Sequence, residues 1–135
     1  MNVNKELSLF NLCNGHIGGM LGEVILHYFL KNNLIKKEND DYVITEKGYE
    51  ELELIGIGID NLIQSSQERI SICSENEYGI LYEHIGSLLG QLIYERFLEL
   101  KWVRKKSETT VELTKIGFEG LRFIGIQMKN ITAAS

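Results

Sequence analysis

Both cysteines and two of the three histidines of this sequence occur in a repeated order, Cys13 before His16 and Cys73 before His84. Thiolate sulfur and neutral imidazole nitrogen together make a tetrahedral donor set for zinc or another thiophilic divalent ion. The long gap from Cys73 to His84 is not the compact spacing of a zinc finger. The plainer reading is therefore preferred, in which the cysteines are small buried hydrophobes and the histidines are satisfied near helix starts. His27 lies eleven residues beyond His16, about 16 Å along a helix, so those two cannot share an ion. A metal site here would have to be assembled across two separate parts of the chain.

Glycine and basic residues form the other candidate groups. Gly18 and Gly22 are four apart, as are Gly86 and Gly90, and each pair cuts a notch one turn deep into a helix face. Such a notch admits another backbone, and the preferred reading is close packing, with the two long helices crossing there or a hairpin tucked against each. A homodimer seam, or a ligand resting on bare backbone, is the alternative. Arg104, Lys105 and Lys106 could lay a basic hairpin against DNA phosphates, although solvated charge on a turn is the commoner outcome. No nucleophile elbow, phosphate loop or metalloprotease motif is present, so the chain reads as non-enzymatic.

These residues have to be placed by secondary structure, and the strongest signal is an internal repeat. His16-Ile17-Gly18-Gly19-Met20-Leu21-Gly22 matches His84-Ile85-Gly86-Ser87-Leu88-Leu89-Gly90 at an offset of about 68. After a one-residue adjustment, Thr45, Gly48, Glu50, Leu52, Ile55, Gly56 and Ile57 fall on Thr114, Gly117, Glu119, Leu121, Ile124, Gly125 and Ile126. Roughly 16 of about 42 aligned positions are identical, which a short chain does not reach by chance. In each copy an apolar helical stripe starts at Ile17 or Ile85. A hairpin follows, and a second helix is capped by Thr45 or Thr114 and ended at Gly56 or Gly125. Each copy thus reads as helix, hairpin, helix, over about 13–57 and 81–126. About 58–80 is a connector in which Asp60 caps a short helix reaching Gln67, and Ile131 to Ser135 is expected to fray.

Composition narrows the class. A chain of 135 residues, 44% hydrophobic and 24% charged, is globular rather than disordered. Halves of about 60 residues bury too little to stand alone, so one domain over 1–135 with a fused core and pseudo-twofold symmetry is predicted. The net charge of -5 disfavours nonspecific nucleic-acid binding. Two cysteines, no apolar run long enough for a membrane span and no signal-like N-terminus predict a cytoplasmic setting.

Cys13-Asn14-Gly15-His16-Ile17-Gly18 and Tyr42-Val43-Ile44-Thr45-Glu46-Lys47-Gly48, with Cys73, His84-Ile85-Gly86 and Leu113-Thr114-Lys115-Ile116-Gly117, resemble part of a subgroup of ArsR-type bacterial transcription regulators. In that subgroup a Cys-x-x-His-leucine/isoleucine-Gly helix follows the DNA-reading helices and leads to a hairpin ending in Leu-Thr-x-x-Gly. The pattern then recurs after a second Cys. The resemblance runs from about Cys13 to Ile126 and implies the effector-side half of such a regulator. Only about a dozen residues precede the first repeat, so the N-terminal DNA-reading winged helix has no room. The Cys-x-Cys of the best-known metal-sensing members is missing, and Ser74 to Glu77 stand where an aromatic residue would follow the second Cys. The resulting expectation is an α+β protein of two fused, winged-helix-like helix/β-hairpin/helix repeats. It would serve as a sensor or interaction module binding a small effector, zinc, or a regulatory protein partner at the junction of the copies, and would be homodimeric. Direct DNA binding through Arg104, Lys105 and Lys106 is the alternative.

Overall fold

The computed structural model describes residues 8–64, 69–77 and 79–134. Asn14 and Gly15 both take positive φ, 50° and 85°, as a two-residue hairpin turn requires and as this residue pair tolerates. They join β1 (Leu9–Cys13) to β2 (His16–Ile17), with Cys13 directly opposite His16. Next come α1 (Gly19–Lys31), the hairpin β3 (Ile35–Glu38) and β4 (Asp41–Ile44), and α2 (Glu46–Leu54). Thr45 caps α2 by accepting the Gly48 amide at 3.0 Å, satisfying one of the helix's orphan donors.

Past α3 (Ile59–Gln64) and β5 (Arg69–Ile70) the same order returns. The hairpin β6 (Ile72–Glu77) and β7 (Ile80–Ile85) leads into α4 (Ser87–Glu99), then β8 (Val103–Ser107), β9 (Thr110–Leu113) and α5 (Lys115–Ile124). Thr114 caps α5 through the Gly117 amide at 3.0 Å, and Gly125 ends it at φ 106°.

Each half is therefore hairpin, helix, hairpin, helix, and the sequence reading missed the opening hairpin. His16 and His84 sit on strands, not at helix starts. The apolar stripe does begin at Ile17, but the chain first turns through Gly19 and Ser87 at φ 59° and 57°, so the helical path starts later. Residues 58–80 are likewise more than a connector, since they contain α3, β5 and all of β6. Ser74 to Glu77 lie in β6 rather than in a loop. The stretch of the short helix expected beyond Gln64, Ser65 to Gln67, lies outside the described residues. The C-terminal segment is fastened instead of frayed: Ile131 is 2% exposed and the Ala134 amide donates to the Leu113 carbonyl at 2.8 Å.

The two halves exchange strands. β1 pairs with β9, Phe10 opposite Val111, in a sheet of order β2-β1-β9-β8. β5, just ahead of the second half, pairs with β4, Ile70 opposite Tyr42, in a sheet of order β3-β4-β5. α1 packs on β7 and α4 on β2. Ile17 with Ile85, Gly22 with Gly90, and Ile25 with Ile93 line one small cavity where the halves meet. One apolar core runs from Phe10 to Ile131 through both halves. The architecture is mixed helix and strand, and no described helix is long and apolar enough to cross a membrane.

Candidate metal centre

The two hairpins place their chemistry by register. Cys13 faces His16 across β1 and β2, and Cys73 faces His84 across β6 and β7. The first pair is three positions apart and the second eleven, yet both become cross-strand neighbours because only the hairpin length differs. The hairpins then meet, and one donor atom from each of Cys13, His16, Cys73 and His84 lies within 4.8 Å of every other. Tetrahedral zinc with sulfur at about 2.3 Å and nitrogen at about 2.0 Å needs ligand separations of about 3.3–3.8 Å. The His16 Nδ1 to Cys73 Sγ distance is already 3.9 Å, and the widest pair, at most 4.8 Å apart, would have to close by no more than about 1.5 Å.

Each imidazole is held in a state suited to ligation. His16 Nε2 lies 3.0 Å from the Ser87 carbonyl. A carbonyl only accepts, so the proton belongs on Nε2 and the Nδ1 lone pair faces Cys73. His84 is 0% exposed, and neither of its ring nitrogens has a well-aligned hydrogen-bond partner among the described residues. Burial of an imidazole without partners costs free energy. Burial pushes the His84 pKa down, against an upward pull from Glu75, with the neighbouring His16 lowering it further. The neutral, ligating form is thereby favoured. Cys13 and Cys73 are free, half-buried thiols. Burial raises the Cys73 pKa, and Cys13 and Glu75 raise it further, so without a cation this thiol stays protonated.

Glu75 was not identified from the sequence. It lies on the same face of β6 as Cys73, two residues on, with Oε1 3.3 Å from His84 Nδ1 and accepting the Gly19 amide at 2.5 Å. A carboxylate thus joins the buried histidine to the N-terminus of α1, where negative charge is stabilised. Glu77 is next on that face and accepts from Asn11 Nδ2 at 2.9 Å. Period-2 spacing Cys73, Glu75, Glu77 is the signal that could have found both, once a strand is read there. Ser87 contributes through its backbone carbonyl, which no side-chain pattern announces.

The four notch glycines surround the same cluster. Added β-carbons would strike the Glu75 carboxylate at Gly18, and would lie 2.6 Å from Cys73 Sγ at Gly86, 2.8 Å from His84 Cβ at Gly22 and 3.0 Å from His16 Cδ2 at Gly90. The notches face the opening hairpins, β1-β2 and β6-β7, rather than the hairpins that follow the long helices, which the sequence reading placed there. The basic residues of the second hairpin lie apart and largely engaged. Arg104 pairs with Glu112 at 2.7 Å, Lys106 approaches the same oxygen at 4.0 Å, and Lys105 pairs with Glu108 at 3.2 Å.

No protein-family model matches the chain, and no solved structure matches it. Among curated proteins, an uncharacterized HTH-type transcriptional regulator, YdfF of Bacillus subtilis (strain 168), is 25% identical over 119 residues. The match covers 85% of this chain and 52% of that protein, so the chain spans about half the length of the relative it matches. A relationship to transcription regulators is what this similarity supports.

Proposed function

We propose that the chain is a non-enzymatic sensing module of ArsR type, built from two winged-helix-like repeats about a pseudo-twofold axis, whose effector is a thiophilic divalent cation, zinc first. Cys13, His16, Cys73 and His84 hold the ion in this reading. Its single strongest support is the convergence of two Cys–His cross-strand pairs, one from each half, on donor atoms within 4.8 Å of one another. The unpartnered Nε2 of His84, with Glu75 on the Nδ1 side, supplies the independent sign that the cluster is shaped for a missing partner. Two thiolates would neutralise the ion, and Glu75 would orient His84 from behind. Sensing follows from placement: an ion drawing the hairpins together also pulls on Glu75 and the Gly19 amide, and so on the start of α1. Similarity to a regulator supports the biological setting, in the cytoplasm, with a DNA-reading partner or segment supplied elsewhere. Homodimerisation belongs to the same reading, and α5 offers the exposed Ile116 and Phe123 for it.

Elemental analysis of natively purified protein tests the site. We expect one zinc per chain, lost in Cys13→Ser and in His84→Gln, with both variants less stable than the parent. Substoichiometric metal together with unchanged stability in Cys13→Ser would overturn it.

A further inference from the structure

The groove between a long helix and the turn after a second helix occurs twice, filled in one place and open in the other. In the second half, Arg96 of α4 reaches the turn after α2 and fills the groove: its Nε donates to the Ile55 carbonyl at 2.7 Å. A β-carbon at Gly56 would lie 2.7 Å from the guanidinium, so nothing else fits there. Glu99 backs the guanidinium at 3.7 Å. The chain thus plugs this groove with its own cation.

In the first half, Tyr28 of α1 stands where Arg96 stands, and Gly125 where Gly56 stands. A β-carbon at Gly125 would meet the Tyr28 ring at an ordinary 3.6 Å. No side chain plugs the groove, and a cavity of about 280 Å³ opens over Val24, Tyr28 and Ile124. At the matching positions of the repeat the acidic residues are gone: His27 stands for Glu95, and Lys31 for the Glu99 that backs Arg96. His27, Lys31 and Lys129 all line the cavity, and neither lysine has an ion-pair partner among the described residues.

We infer that this cavity binds a small organic anion, a carboxylate on an apolar body, in the groove that the other half fills with Arg96. Two ammonium groups without an ion-pair partner among the described residues line this one cavity, although the chain as a whole carries net charge -5, and together they attract an anion. Val24, Tyr28 and Ile124 give the cavity apolar surface for an apolar body, while the polar lining residues can fix its orientation. Burial, and then Glu51, raise the pKa of Tyr28, which keeps its hydroxyl a donor. The cavity lies along the C-terminal half of α1, whose N-terminal residues adjoin the cysteine and histidine cluster, so one helix carries both sites. The inference does not depend on the metal reading.

Titration of the full chain with 1-naphthoate, followed by amide chemical shifts, tests it. Saturable shifts should appear at Lys31, Asn32, Gly125, Gln127 and Lys129, with Kd below about 1 mM and weakening as salt rises. Lys31→Glu with Lys129→Glu should weaken binding about tenfold or more, without altering zinc content or the unfolding midpoint. Absence of saturable shifts would overturn the inference. So would equal binding of neutral 1-naphthalenemethanol, which needs no cation, or equal binding of inorganic phosphate, which needs no apolar floor. Undiminished naphthoate binding in the double variant would overturn it as well.

Discussion

His84 is a fully buried imidazole whose Nδ1 lies 3.3 Å from Glu75 and whose Nε2 has no hydrogen-bond partner among the described residues. Glu77, on the same strand face as Glu75, offers a test of local electrostatics away from the four donors. Burial, and then the nearby Glu75 charge, raise its pKa above the ordinary 4.5. Above 4.5 the folded state therefore holds this proton more tightly than the unfolded chain does. Stability falls as pH rises through the folded pKa, and the penalty is complete above it. Glu77→Gln removes that penalty and keeps an oxygen to accept from Asn11. Denaturant unfolding should show the variant matching the parent near pH 4 and exceeding it at pH 7. A variant less stable at pH 7 would mean that the Asn11 bond outweighs desolvation.

At the scale of elements, the opening hairpins and the glycine notches depend on each other. α4 can lie against β2 only because Gly90 has no β-carbon to collide with the Ile85 carbonyl and crowd His16. Gly90→Ala should cost about 1–3 kcal/mol, as forced overpacking does, and should displace His16 enough to weaken zinc binding. Gly58→Ala is the control: its added carbon would meet only Asn61 Nδ2 at 3.5 Å, and a change within about 0.5 kcal/mol is expected. Thermal unfolding and zinc competition read both. Equal effects of the two substitutions would show that the notch is not what seats the hairpin.

For the whole molecule the decisive feature is strand exchange. β1 of the first half completes a sheet with β9, and β5 extends the first half's β3-β4 hairpin, so neither half has a finished sheet alone. Halves of about 60 residues bury too small a fraction of their surface to be stable singly. Equilibrium unfolding should therefore be one cooperative transition, with coincident loss of Trp102 fluorescence in the second half and of protection at Leu26 amide in the first. Two separated transitions would contradict a shared core. A saturating ion at about 1,000 times its Kd would add about 4 kcal/mol to this transition, and chelation should lower the midpoint accordingly.

The duplication, the two long helices, the second hairpins and the Thr45 and Thr114 caps were legible in the chain, because each rests on local spacing: a 3.6-residue stripe, a polar turn, a hydroxyl three residues before an orphan amide. Asn14-Gly15 was an equally local signal for the first hairpin, and it was masked by an apolar stripe that already begins at Ile17. The four donors could be named from their repeated order, but the unequal gaps made them resemble unrelated residues. Cross-strand register cancels that inequality, and register is a property of pairing between distant segments. Glu75, the Ser87 carbonyl and the opposite fates of the groove at Tyr28 and Arg96 depend on which surfaces meet when the halves close. Contacts of that kind come from burying both apolar faces in one core, and no window of neighbouring residues contains them.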